Sequence, residues 1–165
     1  MGQTYRSSRN LEASTIDFIN DKLKLRWSNV TCIKGFQRAY SNELPVITVR
    51  LNTSSFNKVE LGDNNLLRKA QILIDIFANS DGQRLDLKDF IIAELKDGYT
   101  YYEYYIEANG TTGNGQVKRK VKDGKVNVLS FTDAPIDFNT EKNNLDKHDR
   151  YRHLLTLEVS TSKVE

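Results

Sequence analysis

The stretch LLRKAQILIDIFANSDGQRLDLKDFIIAEL, residues 66–95, changes period once, and that change decides the fold. From Leu66 to Phe77 it alternates. Ala70, Ile72, Ile74 and Ile76 point one way, and Gln71, Leu73, Asp75 and Phe77 the other. A period of two in a run rich in β-branched residues predicts a strand. One face is wholly apolar and belongs on a core. The other mixes Asp75 with Leu73 and Phe77, so partial cover is expected there. Ser80 and Gln83 then have capping-box spacing. After them Leu87, Phe90, Ile91 and Leu95 recur at three and four residues, the stripe of an amphipathic helix ended by Asp97-Gly98. A strand running straight into a helix needs that helix to fold back over the sheet.

Outward from this unit, residues 1–8 are expected to be a loose tail. A helical pattern starts near Asn10, a candidate cap, and runs through Leu11, Ile16, Ile19 and Leu23 to end near Leu25–Trp27. Val30–Phe36 reads as a strand and Gln37–Glu43 as a polar loop. Pro45–Leu51 and Phe56–Leu61 read as two short strands joined by the turn Asn52–Ser55. Thr100–Glu107 is a tyrosine-rich strand. Ala108–Gly115 carries three glycines and reads as a flexible loop. Val117–Val121 and Lys125–Phe131 then form two arms of a hairpin turning at Asp123-Gly124. Tyr151–Val159 alternates as a closing strand. The strands are connected by short links rather than by helices, which predicts mostly antiparallel pairing. The expected class is α+β: a mixed, mostly antiparallel sheet flanked by two main helices on one face. An extended β-hairpin arm at 108–131 is expected to project from a single domain, 1–165.

A chain of 165 residues fits one domain. Its net charge of +2 is too small to argue for nucleic acid by itself. Its one cysteine, Cys32, leaves no intrachain disulfide to form, so self-association is expected to run through exposed sheet edges and loops. No apolar run approaches the roughly 20 residues of a membrane span.

Candidate chemistry is sparse. His148 and His153 with one cysteine do not make a usual zinc set; Asp146, His148 and Asp149 crowd at a strand start, as a metal site or as a solvated turn. Gly110, Gly113 and Gly115 do not lead from a strand into a helix, as a phosphate loop would. Asp75 with Glu94 and Lys96 superficially resembles the carboxylate–lysine set of metal-dependent nucleases, yet Glu94 and Lys96 fall at a helix end. The reading is therefore of a protein that is not an enzyme, with no catalytic residue, metal or cofactor. The densest positive patch is Lys118, Arg119, Lys120 and Lys122. Its lysines meet phosphates or an acidic protein surface, or they guard an exposed edge strand against pairing. Tyr101 and Tyr105, among Tyr101, Tyr102, Tyr104 and Tyr105, read as core or interface residues, with base stacking as the alternative. The predicted interface set is Lys118, Arg119, Lys120, Lys122, Tyr101 and Tyr105.

The order of features resembles the tail terminator proteins of long-tailed bacteriophages. The matching words are Leu44-Pro-Val-Ile-Thr-Val-Arg50, Val59-Glu-Leu-Gly62, Ile72-Leu-Ile-Asp-Ile-Phe-Ala78, Gln83 and Leu85 leading into a helix, and Arg150-Tyr-Arg-His-Leu-Leu-Thr-Leu-Glu158. The resemblance spans most of residues 10–160 and is a pattern of elements, not a catalytic signature. It implies a mixed sheet flanked by helices and a homo-oligomer, a six-membered ring. That ring caps the head-proximal end of the tail tube and stops its growth. Its partners would be the tail tube protein, a head-side connector or neck protein and, where the tail contracts, the sheath. DNA would meet it only in passing through the channel, and no membrane is involved. The place of action would be the virion neck, after assembly in the host cytoplasm. Head–tail joining and tail-completion proteins, and a nucleic-acid-binding module using the basic hairpin, are the alternatives.

Overall fold

The computed structural model describes the backbone of residues 7–58, 66–107 and 116–163, and within them the side chains of 7–55, 68–105 and 121–161. The central strand is β3 (Leu66–Phe77), followed by helix α2 (Asp81–Leu95). Both fall where the change of period puts them. The Ser80 hydroxyl accepts from the Gln83 amide (3.2 Å), while the Gln83 side chain accepts from the amide of Asn79 (2.8 Å), one residue before the cap. β3 pairs antiparallel with β2 (Val46–Lys58) on one side and β6 (Arg152–Lys163) on the other. Opposite Ile74 stand Val49 and Leu155; opposite Ile72 stand Leu51 and Leu157. These side chains share a face. Leu87, Ile91 and Leu95 of α2 close over it, together with Leu11, Ile19 and Leu23 of helix α1 (Ser7–Arg26). Ile72, Ile74 and Ile76 are fully buried, and burying a side chain of this kind is worth about 1.5–3 kcal/mol.

The sheet has six strands in the order β1-β2-β3-β6-β5-β4, where β1 is Thr31–Lys34, β4 is Tyr99–Glu107 and β5 is Gln116–Pro135. Among the described residues only β1 and β2 pair in parallel. The architecture is α+β, a mixed and mostly antiparallel sheet with both main helices on one face.

Several boundaries differ from the sequence reading. The two short strands expected at Pro45–Leu51 and Phe56–Leu61 run together as β2 as far as Lys58, with 59–61 outside the described residues: Asn52 is absorbed as a register shift between Leu51 and Thr53, and its side-chain amide donates to Gln71 Oε1 (2.6 Å). Asn10 is not a cap but an interior helical residue, because α1 begins at Ser7. Gln37–Glu43 is largely a 3-10 helix, Phe36–Ser41, whose Ala39 packs on Val46 and Phe77. It covers part of the second face of the sheet. The Asp123-Gly124 turn does not exist. Residues 116–135 form one continuous strand, and the extended hairpin has β4 and β5 as its arms. Gly124 lies opposite Tyr101 and Lys122 opposite Tyr102, so Asp123 is the extra residue of a bulge. The ladder with β4 continues on both sides of Asp123, and that pairing outweighs the local turn preference.

The sheet curls until both its edges meet α1. On the β1 edge, the Cys32 amide donates to Asn20 Oδ1 (2.9 Å) and the Asn20 side chain donates to the Cys32 carbonyl (2.9 Å). On the β4 edge, the Tyr102 amide donates to Ser14 Oγ (2.9 Å) and the Tyr104 amide to Asn10 Oδ1 (3.3 Å). These backbone groups would otherwise recruit another strand. Self-association through them, as expected from the sequence, is therefore blocked at these positions.

Candidate interaction surface

The basic segment lies on β5. Arg119 stands opposite Tyr105 and Lys120 opposite Tyr104, with Lys118 in a second register shift between Val117 and Arg119. The pairing of β5 with β6 stops at Gly124 and Lys163. From there to Gln116, among the described residues, β5 pairs with β4 alone, so the stretch holding these cations is one arm of a two-stranded ribbon. Lys122 is exposed. The side chains of Lys118, Arg119 and Lys120, and the glycine-rich segment 108–115, lie outside the described residues.

The tyrosines serve the inside of the molecule. Tyr101 is only 4% exposed and sits in the core, with its hydroxyl donating to the Ser7 carbonyl (3.4 Å). That burial corrects its assignment to an intermolecular interface, and it raises the phenol pKa. Tyr99 stacks on Phe18 and shares a hydrogen bond with Thr15 (2.6 Å). The Tyr104 hydroxyl donates to Asp17 (2.6 Å). Tyr105 is half-buried. The run of tyrosines thus docks α1 on β4. Asn10, Ser14 and Asp17, spaced as one helical face, are the polar half of that contact and had gone unrecognised. A stripe of polar residues at helical spacing, next to the apolar stripe, was the available signal.

Two polar clusters gather at the other end of the sheet. Asp75, 1% exposed on the second face of β3, accepts from Arg152 Nε (3.2 Å) and Nη2 (3.0 Å). Arg152 also lies over the ring of Phe77, 4.9 Å from its centroid. The Tyr40 hydroxyl donates to Asp149 (2.5 Å), and burial followed by this bond pushes its pKa up to about 12. His148 is buried with both ring nitrogens facing acceptors, Asp146 Oδ1 (2.9 Å) and the Asn42 carbonyl (2.8 Å). Hydrogen bonds from the His148 backbone and ring hold the exposed Asp146 carboxyl below its usual range. These bonds fasten segment 136–151 and the 3-10 helix onto the sheet.

On the helix side, His153 Nε2 lies 2.9 Å from Asp133, and Nδ1 faces the guanidinium of Arg84. Arg84 can only donate, so Nδ1 accepts and Nε2 carries the proton. Lys88 reaches Asp133 at 3.8 Å. Burial, with Arg84 and Lys88 adding to it against the pull of Asp133, lowers the His153 pKa.

These clusters do not assemble the nuclease-like set. Asp75 is on the sheet face opposite α2, whose Glu94 pairs with Lys22 (3.7 Å). Strands lie between the two carboxylates, so they have no common position for a metal. Among the described residues no three His, Cys, Asp or Glu side chains are grouped to hold a metal ion, and no helix is long and apolar enough to cross a membrane. Compared with known proteins, the chain matches no family model and no curated sequence.

Proposed function

We propose that the chain is a structural virion protein, a ring-forming tail terminator that caps the head-proximal end of a phage tail tube and joins it to the head connector. One observation carries the reading. The words behind the resemblance are scattered over more than a hundred positions, yet those that fall on described residues come together. Val46–Arg50 lies in β2, Ile72–Phe77 in β3, Gln83 and Leu85 in α2, and Arg152–Glu158 in β6. Strands β2, β3 and β6 are consecutive in the sheet, with α2 packed on them. The likeness therefore concerns one contiguous block, as a shared fold requires, rather than isolated strings. The remaining word, Val59–Gly62, lies outside the described residues.

The basic arm of β5 is the part of the molecule proposed to touch the tube or a neighbouring subunit. A row of charges there sets register and association rate. The test is the triple variant Lys118→Glu, Lys120→Glu, Lys122→Glu, with tails counted and measured by electron microscopy. Tails of uncontrolled length, or tails that fail to join heads, are expected. Normal lengths and normal joining would remove the arm from the mechanism. A monomer that binds duplex DNA through these lysines would instead favour a nucleic-acid-binding module.

A further inference from the structure

We infer that the pocket between β1, β2 and the 3-10 helix is the docking site for α2 of a second copy of this chain. The inference rests on the ring reading above and names its subunit contact. The pocket encloses about 320 Å³, and Lys34, Phe36, Arg38 and Arg50 line it, with no carboxylate in its wall. Lys34 already holds Glu12 (3.1 Å). Among the described residues Arg38 and Arg50 have no ion pair and no side-chain hydrogen bond. Arg50 is positioned in advance: its guanidinium lies over the ring of Phe36, 4.9 Å from the centroid, and its Nε is buried without an acceptor. A buried donor with no acceptor calls for a partner, and a guanidinium fork fits a carboxylate.

The complementary surface is on the same chain. The outer side of α2 presents Asp86, Asp89 and the exposed Leu85. Asp86 has no ion pair among the described residues, and Asp89 holds only the adjacent Lys88 (3.2 Å). Cations around an aromatic ring thus match carboxylates around a leucine. The two surfaces cannot meet within one molecule, because α2 covers one face of the sheet and the 3-10 helix the other. A patch that fits a different patch on the next copy makes a head-to-tail contact, and such contacts close into rings when the rotation allows.

The experiment is sedimentation of the full chain, with melting curves as the check on folding. Arg38→Glu, at an exposed site, and Arg50→Glu should each weaken association about tenfold or more, and Asp86→Arg with Asp89→Arg should do the same. Mixing the arginine-reversed chain with the aspartate-reversed chain should restore a complex between them. Reversed variants that fold and associate like the wild type would overturn the inference while leaving the ring reading intact. So would folded variants whose mixture stays apart. Saturation of the pocket by inorganic phosphate with no effect on association would make it an oxyanion site and overturn the second-copy assignment. A wild-type chain that never associates would bring down the ring reading itself.

Discussion

Asp75 and Arg152 show how a single buried pair can hold a long segment. Two guanidinium donors reach Oδ1 of the Asp75 carboxylate, its Oδ2 is buried with no partner among the described residues, and the guanidinium itself lies over the ring of Phe77. Arg152→Ala leaves that charge buried and unmatched, at a cost of about 3–5 kcal/mol in urea unfolding. A loss below about 1 kcal/mol, typical of an exposed pair, would contradict this account. His153 makes a pH-dependent contribution of definite sign. Its folded pKa is depressed from the ordinary 6.5, so below about that pH the unfolded chain binds a proton that the folded chain refuses. Stability should therefore fall as pH drops below 6.5, until folded His153 titrates too, and above 6.5 this group should have no effect. Melting curves at pH 7 and pH 5 should differ less in His153→Gln than in the wild type; an equal difference would refute the assignment. The sequence placed His153 on the inner side of its strand but was silent on its partners. Asp133 and Arg84 are 20 and 69 residues away, and only the tertiary fold brings them near.

Helix α1 joins the two ends of the sheet. Its apolar stripe was readable from periodicity, but its task was not, because the curl that brings β1 and β4 to one helix has no local signature. Asn20→Ala should strand the buried amide and carbonyl of Cys32, at a cost of about 1–3 kcal/mol. It should also free an edge for pairing, so dye-detected aggregation should rise with unfolding midpoint falling. An unchanged midpoint would mean that the edge is protected by something else. Elements with uniform periods, such as β3 and α2, were legible to the residue. Elements carrying turn-like words inside a strand were not. Asn52 and Asp123-Gly124 have turn chemistry, but each lies inside a ladder that continues before and after it, Asn52 against β3 and Asp123 against β4, and each became a bulge. The end of α2 shows the opposite case. Gly98 has φ of 81°, and a Cβ there would come within 2.5 Å of the Val126 carbonyl oxygen, so the glycine read as a stop signal is required by both backbone and neighbour.

The whole molecule is a closed unit with two unlike sides. One carries the acidic outer surface of α2, the other the Arg38–Arg50 pocket. A third feature, the β4–β5 ribbon, continues past the end of β6. Little of this arrangement could be seen in the chain itself, since it depends on which face each element covers. The basic run was visible, and so was the likeness to a ring-forming family. What links them is the claim that copies of this chain close head to tail around a channel. The most direct test is the mass and image of the purified full chain, by native mass spectrometry and negative-stain microscopy. The account predicts a ring with a central hole and a mass six times the 19.0 kDa of one copy. A particle that stays at 19.0 kDa at every concentration and shifts duplex DNA would contradict it.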